Sequence, residues 1–315
     1  MRIFVAGATG VIGTRIVPLL VAAGHDVTGV CRTDQKLAAL QQLGARGVGV
    51  DLFDADAVRR AVARHDVVIN LATAVPSPTR MLFPGAWRAM DRVRRQVSTN
   101  LANAALADNS VGRLVQESFA PIYADAGDRW IDESSPVTPA RYNRSVVDAE
   151  LNAMRVASAG RAGVVLRFGA FYGPGDPLVE QVVGAVRRGW FPLFGNPDGY
   201  FSFVAHEDAA AAVVAALGVP AGIYNVVEHD PMRRRELAEG VAQLVGVGPP
   251  RFLPRWVARL AGTLGETLGR SLRISNRKLE AATGWAPKYR TTLDGFRAIV
   301  SPDSAESRGA SRPLT

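Results

Sequence analysis

Cysteine is nearly absent from this chain: Cys31 is the only one among 315 residues. No disulfide within the chain and no cysteine-based metal site is therefore available, and the scarcity points to a reducing compartment. Lysine is almost as rare, with Lys36, Lys278 and Lys288 alone, so arginine carries most of the positive charge. The net charge of +8 is scattered and never gathers into a basic run interleaved with aromatics, which argues against nucleic-acid binding. Long apolar runs are missing too. The longest, Ala209-Leu217, falls far short of the ~20 residues that cross a bilayer, and residues 1–6 read as a strand with no leader before it. A cytoplasmic protein with no membrane partner is expected. His206-Glu207-Asp208 has no second histidine nearby and its side chains diverge on any regular element, so it reads as a helix start, and no metal site is expected.

What is present is an α/β rhythm. Apolar runs at 3–6, 27–31, 48–50, 67–71, 114–115 and 164–168 alternate with helical patterns near 11–23, 35–43, 54–64, 86–107 and 143–159, as in a doubly wound parallel sheet. With 48% hydrophobic residues the chain can bury a sizeable core. Pro18 lies inside the first helical pattern and is expected to bend it. After Tyr172-Gly173-Pro174-Gly175 the rhythm loosens, with helices expected at 177–188, 207–217, 232–245 and 254–268. Arg251-Leu272 is basic and amphipathic, and its glycines favour a helix packed in a second lobe over one lying on a membrane.

Between the first strand and the first helix stands Gly7-Ala8-Thr9-Gly10-Val11-Ile12-Gly13. Three glycines at this spacing allow a tight turn, close approach of backbone N–H groups to phosphate, and tight packing of helix on strand. Gly7, Thr9, Gly10, Val11, Ile12 and Gly13 are thus candidates for holding a dinucleotide pyrophosphate. The second strand ends Val30-Cys31-Arg32-Thr33, where a NAD site usually has an acid for the ribose hydroxyls. Arg32 suits a 2′-phosphate, so the cofactor expected is NADP; NAD is the alternative if Asp34 takes the acidic role. The resulting layout is a Rossmann domain over 1–172 to which 203–227 returns, a smaller C-terminal substrate lobe from 173–202 and 228–300, and a disordered tail at 301–315.

Taken in order, these motifs resemble the extended short-chain dehydrogenase/reductases, the NAD(P)-dependent epimerase/dehydratase group, from residue 1 to about 297. The resemblance rests on the glycine turn, Val50-Asp51-Leu52, Asn70-Leu71-Ala72, Leu166-Arg167-Phe168, Tyr172-Gly173-Pro174-Gly175, Phe203 to Asp208, Tyr224-Asn225-Val226, and Ser275 to Lys278 with Thr283 to Pro287. It implies that Asp51 and Leu52 touch the adenine. It also implies that Leu71, Ala72, Thr73, Tyr142, Phe168, Gly169 and Phe171 line the rest of the cofactor. The family's active site is a Ser or Thr followed by Tyr-x-x-x-Lys, one helical turn apart. Here Tyr142 is followed by Val146, with Glu150 four further on; the register holds and the lysine is missing. The serine position falls on Phe119, with Ser118 one residue away, and the family's Asn falls on Arg94.

Tyr142 and Ser118 are the catalytic candidates. With no neighbouring cation, Tyr142 is expected to titrate near the ordinary value of about 10 and to stay protonated at neutral pH. A neutral phenol donates a proton but is a poor base, which favours reduction over oxidation. The expected function is an NAD(P)H-dependent oxidoreductase acting on a carbonyl or activated double bond of a small molecule, with a homodimer allowed. Phe171, Tyr172, Trp190, Phe191, Phe194, Tyr200 and Phe201 suggest a partly apolar substrate. The alternatives are a redox-inactive dinucleotide-binding regulator and a non-redox cyclase, isomerase or epimerase on the same fold.

Overall fold

The computed structural model describes residues 1–77, 80–81, 83–193, 195–254 and 262–300. The tail expected at 301–315, Phe194, and residues 255–261 of the helix expected at 254–268 lie outside the described residues.

The first half opens β1 (Arg2–Ala6), α1 (Gly13–Ala22), β2 (Asp26–Cys31), α2 (Asp34–Gln42), β3 (Arg46–Gly49), α3 (Ala55–Val62) and β4 (Val67–Asn70). β1 and β4 are buried almost throughout, as continuous apolar runs must be when helices cover both sheet faces. α1 buries Ile16, Val17 and Leu20 and runs unbroken through Pro18. Asp54 starts α3 by accepting from the Asp56 and Ala57 N–H groups, which satisfies donors the first turn leaves open.

The pattern expected as one helix over 86–107 is α4 (Arg88–Arg92), a π segment (Val93–Val97) and α5 (Ser98–Ala107). There follow β5 (Arg113–Phe119), β6 (Trp130–Ile131), α6 (Ser145–Ser158), β7 (Ala162–Phe168) and β8 (Ala170–Tyr172). The remainder comprises α7 (Pro177–Arg187), β9 (Trp190–Phe191), β10 (Phe203–Ala205), α8 (His206–Ala215), β11 (Gly222–Val226), α9 (Arg234–Leu244), β12 (Arg251–Phe252), α10 (Gly262–Gly269), β13 (Arg273–Ile274), α11 (Arg277–Thr283) and α12 (Thr292–Val300).

Seven strands form one parallel sheet in the order β11-β7-β5-β4-β1-β2-β3. The chain runs outward from β1 to β3 and then crosses back, so β4 lands on the other side of β1. Open α/β sheets leave their ligand crevice at that reversal, at the carboxyl ends of the strands. One core packs α1 and α8 on the sheet, and another packs α3, α5 and α6 on its opposite face. A third gathers Val182, Phe191, Leu237, Leu272 and Phe296 with Ala120, Tyr123 and Ile131 from the first half. β6 pairs with β13 in the same region, so the loop after β5 is built into the second lobe.

Candidate active site

The carboxyl ends of β1 and β4 meet at the glycine turn. Gly7 has φ +85°, and a Cβ there would lie 2.6 Å from the Leu71 carbonyl carbon and oxygen. A Cβ on Gly13 would lie 2.0 Å from the Gly7 carbonyl oxygen. Both positions therefore admit only glycine, and the cradle they leave fits a pyrophosphate on a helix start. Gly10 N–H donates to Gly7 O at 3.0 Å and closes the turn. Ile12 is buried beneath it, Thr9 is half-buried, and Val11 is 56% exposed.

The other candidates follow this edge. Arg32 stands exposed just after β2, and among the described residues no ion pair engages it. Thr33 caps α2 by accepting from Lys36 N–H. Asp51 is exposed and accepts from Phe53 N–H, while the Leu52 carbonyl accepts from Asn100. Leu71 is buried, Ala72 N–H donates to Asn70 Oδ1 at 3.2 Å, and Thr73 is exposed. Phe168 and Gly169 are different in kind. The Phe168 side chain is fully buried in the α1/α8 core, and Gly169 N–H donates to Val226 O. Phe171 is half-buried with its ring 5.3 Å from that of Phe168. Of the other aromatics, Tyr172, Phe191, Tyr200 and Phe201 are buried, whereas Trp190 is 44% exposed.

Tyr142 lies not on α6 but on the 3-10 turn Arg141–Asn143 leading into it, and Val146 is fully buried in the first helical turn. The ring of Trp87, from the turn before α4, lies 4.5 Å from that of Tyr142 and is tilted 55° to it. α4 is held over the end of β4 through Ala74 N–H, which donates to Met90 Sδ at 3.2 Å. The expectation of a phenol without a neighbouring cation needs correction. Burial pushes the Tyr142 phenol above its ordinary range, while Thr267 of α10 and the guanidinium groups of Arg94 and Arg270 pull the other way. Burial prevails, so the phenol is protonated at neutral pH for a reason that register alone does not disclose. In the sequence Arg94 marks only the loss of an Asn; its charge is the signal available there.

Ser118 is fully buried and its hydroxyl donates to Glu150 Oε1 at 2.5 Å. Arg167 grips the same carboxylate with Nε at 2.8 Å and Nη2 at 2.7 Å. The Arg167 guanidinium also stacks on Tyr123 at 4.8 Å, and the Tyr123 hydroxyl donates to Asn225 Oδ1 at 2.8 Å. Burial pushes that phenol up to about 12 in spite of the neighbouring arginine. This chain of bonds ties β5, α6, β7 and β11 together behind the carboxyl ends of the strands. Replacing Glu150 by alanine leaves the buried Arg167 charge unpaired, and the expected loss is about 3–5 kcal/mol of stability, checked by denaturant unfolding. A loss below ~1 kcal/mol would show that the pair behaves like an exposed one.

The sequence pattern of the NAD dependent epimerase/dehydratase family matches residues 3–226. The chain is 34% identical over 311 residues, 94% of its own length and 99% of the relative's, to the 3-diazoavenalumate denitrifying reductase of a Streptomyces species. It is 27% identical to the 2-alkyl-3-oxoalkanoate reductase of Stenotrophomonas maltophilia, with 80% of this chain and 77% of that one covered. Among solved structures it is similar to the Thermus thermophilus UDP-glucose 4-epimerase in complex with NAD, at TM-score 0.73 and 27% identity over 99% of this chain and 100% of that one. The glycine cradle, the reversed sheet order and these likenesses agree: the chain belongs to the NAD dependent epimerase/dehydratase family and is an NAD(P)-dependent enzyme of the reductase kind.

Proposed function

We propose that the chain reduces a carbonyl or activated double bond of a small, partly apolar metabolite, with Tyr142 as the proton donor. Gly7, Thr9, Gly10, Val11, Ile12 and Gly13 would hold the pyrophosphate, Asp51 and Leu52 the adenosine end, and Leu71, Ala72, Thr73 and the backbone around Phe168, Gly169 and Phe171 the remainder. The bound coenzyme supplies hydride. The observation that carries the reading is the pairing of an intact cradle with a half-buried Tyr142 whose phenol stays protonated at neutral pH. Such a phenol gives a proton to a forming alkoxide and does not readily take one from an alcohol. Phe119 at the end of β5 and Trp87 on Tyr142 favour an apolar substrate body. The test is purified chain with NADPH and a panel of ketones and enones, followed through coenzyme absorbance; no oxidation with any member would overturn the reading.

A second substrate class is favoured by the 34% identical relative, whose name describes removal of nitrogen from a diazo compound. Replacing a diazo group by hydrogen expels dinitrogen and leaves no alkoxide, so it makes no demand on a phenol and lysine relay. Val146 and Phe119 are compatible with that chemistry. Measuring dinitrogen release in the same panel, with an aryl diazo compound added, separates the two.

Arg32 is proposed to set NADP over NAD. Charge-assisted bonds to the 2′-phosphate are worth about 1.5–3 kcal/mol, so Arg32→Ala is expected to weaken NADPH binding by roughly 10- to 100-fold while NADH binding holds. Calorimetric titration of both coenzymes checks this, and an equal loss for both would remove the assignment. The single buried thiol, Cys31, supports a cytoplasmic location. Leu151, 58% exposed on α6, lies in a shallow groove with Leu106 and Met154 and supports a homodimer.

A further inference from the structure

The α4–α5 run lies alongside α6 and points the same way. Arg95 Nε donates to Asp148 Oδ2 at 2.8 Å, Asn152 Nδ2 donates to Ser98 Oγ at 2.8 Å and Thr99 Oγ1 at 3.0 Å, and Arg155 Nη2 donates to Asn103 Oδ1 at 3.0 Å. At its amino-terminal end this ladder closes on Trp87 and Tyr142, whose ring centroids are 4.5 Å apart. From Arg95 back to Trp87 the first run spends eight residues, and from Asp148 back to Tyr142 the second spends six. Two departures from α geometry absorb the difference. The π segment Val93–Val97 winds more residues into a turn, and the 3-10 turn Arg141–Asn143 winds fewer. Together they bring the two rings level. Segments of the π kind are rare and frequently mark functional sites.

Trp87 is held from two sides. It is 8% exposed, and its Nε1–H donates to Met81 O at 2.8 Å. Nearly one turn further on, Met90 Sδ accepts from Ala74 N–H at 3.2 Å, and Ala74 follows directly on the Leu71-Ala72-Thr73 stretch after β4. Tyr142 has no such anchor from its own helix. It lies on the turn before α6, and Val146, four residues on, has only methyl groups to offer it. We propose that Trp87 is the positioning residue that holds the Tyr142 phenol in place, in the absence of a polar group at position 146. The inference rests on Tyr142 being the proton donor. In that step the phenol O–H bond breaks as an O–H bond forms on the substrate alkoxide, and water then reprotonates the phenolate. The transfer needs the hydroxyl within hydrogen-bond reach of the alkoxide, and an error of about 1 Å in such placement costs ~10²-fold in rate. Trp87 carries none of the proton traffic and acts through the ring it faces.

The test compares Trp87→Leu, the less disruptive Trp87→Met and the conservative Trp87→Phe, each alone and each combined with Tyr142→Phe, with folding checked by thermal melting. Trp87→Leu and Trp87→Met are expected to lower kcat for a ketone by about 10²-fold at unchanged KM. Trp87→Phe keeps a ring against the phenol and should restore most of the rate. Residues that act as a unit are not additive, so none of these changes should cost further rate on top of Tyr142→Phe. An unchanged kcat in the single variants overturns the proposal, and so does a full further loss in the double ones, because Trp87 would then act on something else. If Trp87→Leu does not fold, Trp87→Met carries the same outcomes. Fluorotyrosine placed at position 142 gives a readout without turnover: loss of the Trp87 ring is expected to shift its fluorine NMR signal, with Trp87→Phe staying nearer the parent. An unmoved signal in Trp87→Met also overturns the proposal, whatever the rates. Should the parent chain reduce no ketone or enone, the reading of the reaction fails, while a moved signal would still support Trp87 as the residue that holds the ring.

Discussion

Gly13→Ala is expected to abolish useful dinucleotide binding while leaving most of the sheet intact. The added methyl would sit 2.0 Å from the Gly7 carbonyl oxygen and 2.6 Å from the Ala8 carbonyl carbon. These are backbone atoms, so no rotamer change relieves the overlap; α1 must lift from β1 or the turn must open. Overpacking of this kind costs about 1–3 kcal/mol. The strain falls on the amide groups that would face phosphate, so NADPH affinity is expected to drop on the order of 100-fold. Calorimetry measures it. Gly184→Ala is the control: its methyl meets nothing closer than Arg188 Nη2 at 3.8 Å, and inside α7 alanine is the better helix former. Wild-type affinity in Gly13→Ala would mean that the turn does not bind the coenzyme.

The second large effect is expected from Tyr142→Phe. Removing a positioned proton donor lowers ketone reduction by about 10²–10⁴ in kcat, while the ring still packs on Trp87. The pH dependence has a definite sign. Burial raises the phenol's titration above the ordinary 10, so the donor is protonated throughout the neutral range. Reduction by the parent chain is therefore flat there and declines only on the alkaline side. Dinitrogen release from a diazo substrate should be untouched by the same substitution, since no alkoxide forms. A ketone rate that survives the loss of the hydroxyl would remove Tyr142 from the chemistry.

The parts of the molecule that can be read from the chain are those fixed by near neighbours. Gly7 to Gly13 announces a turn because a tight turn, a helix start and a strand end lie within a dozen residues. The helix expected at 207–217 begins at His206, where Glu207 and Asp208 suit a first turn. Val146 and Phe119 can be recognised as changed positions from register alone. The contacts that decide their chemistry cannot. Trp87 and Tyr142 are 55 residues apart in sequence, and only the packing of the turn before α4 on the turn before α6 brings their rings within 4.5 Å. Ser118 is a candidate by adjacency to Phe119, yet the strand directs it onto Glu150, the carboxylate that Arg167 also grips. α11 and α12 are not among the helices expected from the sequence. Their local signals are nonetheless present: Gly284 ends α11 with φ +70°, and at the start of α12 Thr291 N–H donates to the Asp294 carboxylate while Asp294 N–H donates to Thr291 Oγ1, the reciprocal bonds of a capping box.

The two-residue pairing of Trp130–Ile131 with Arg273–Ile274 makes the halves of the chain inseparable. Severing the polypeptide after Tyr172 would strip cover from Ala120, Tyr123 and Ile131, all at most 1% exposed in the intact protein, and leave a bare strand edge beside the crevice. The amino-terminal piece would present that edge and an apolar face to other molecules, a recipe for self-association. The carboxyl-terminal segment is thus a structural wall of the amino-terminal one, and neither can be expected to stand without the other.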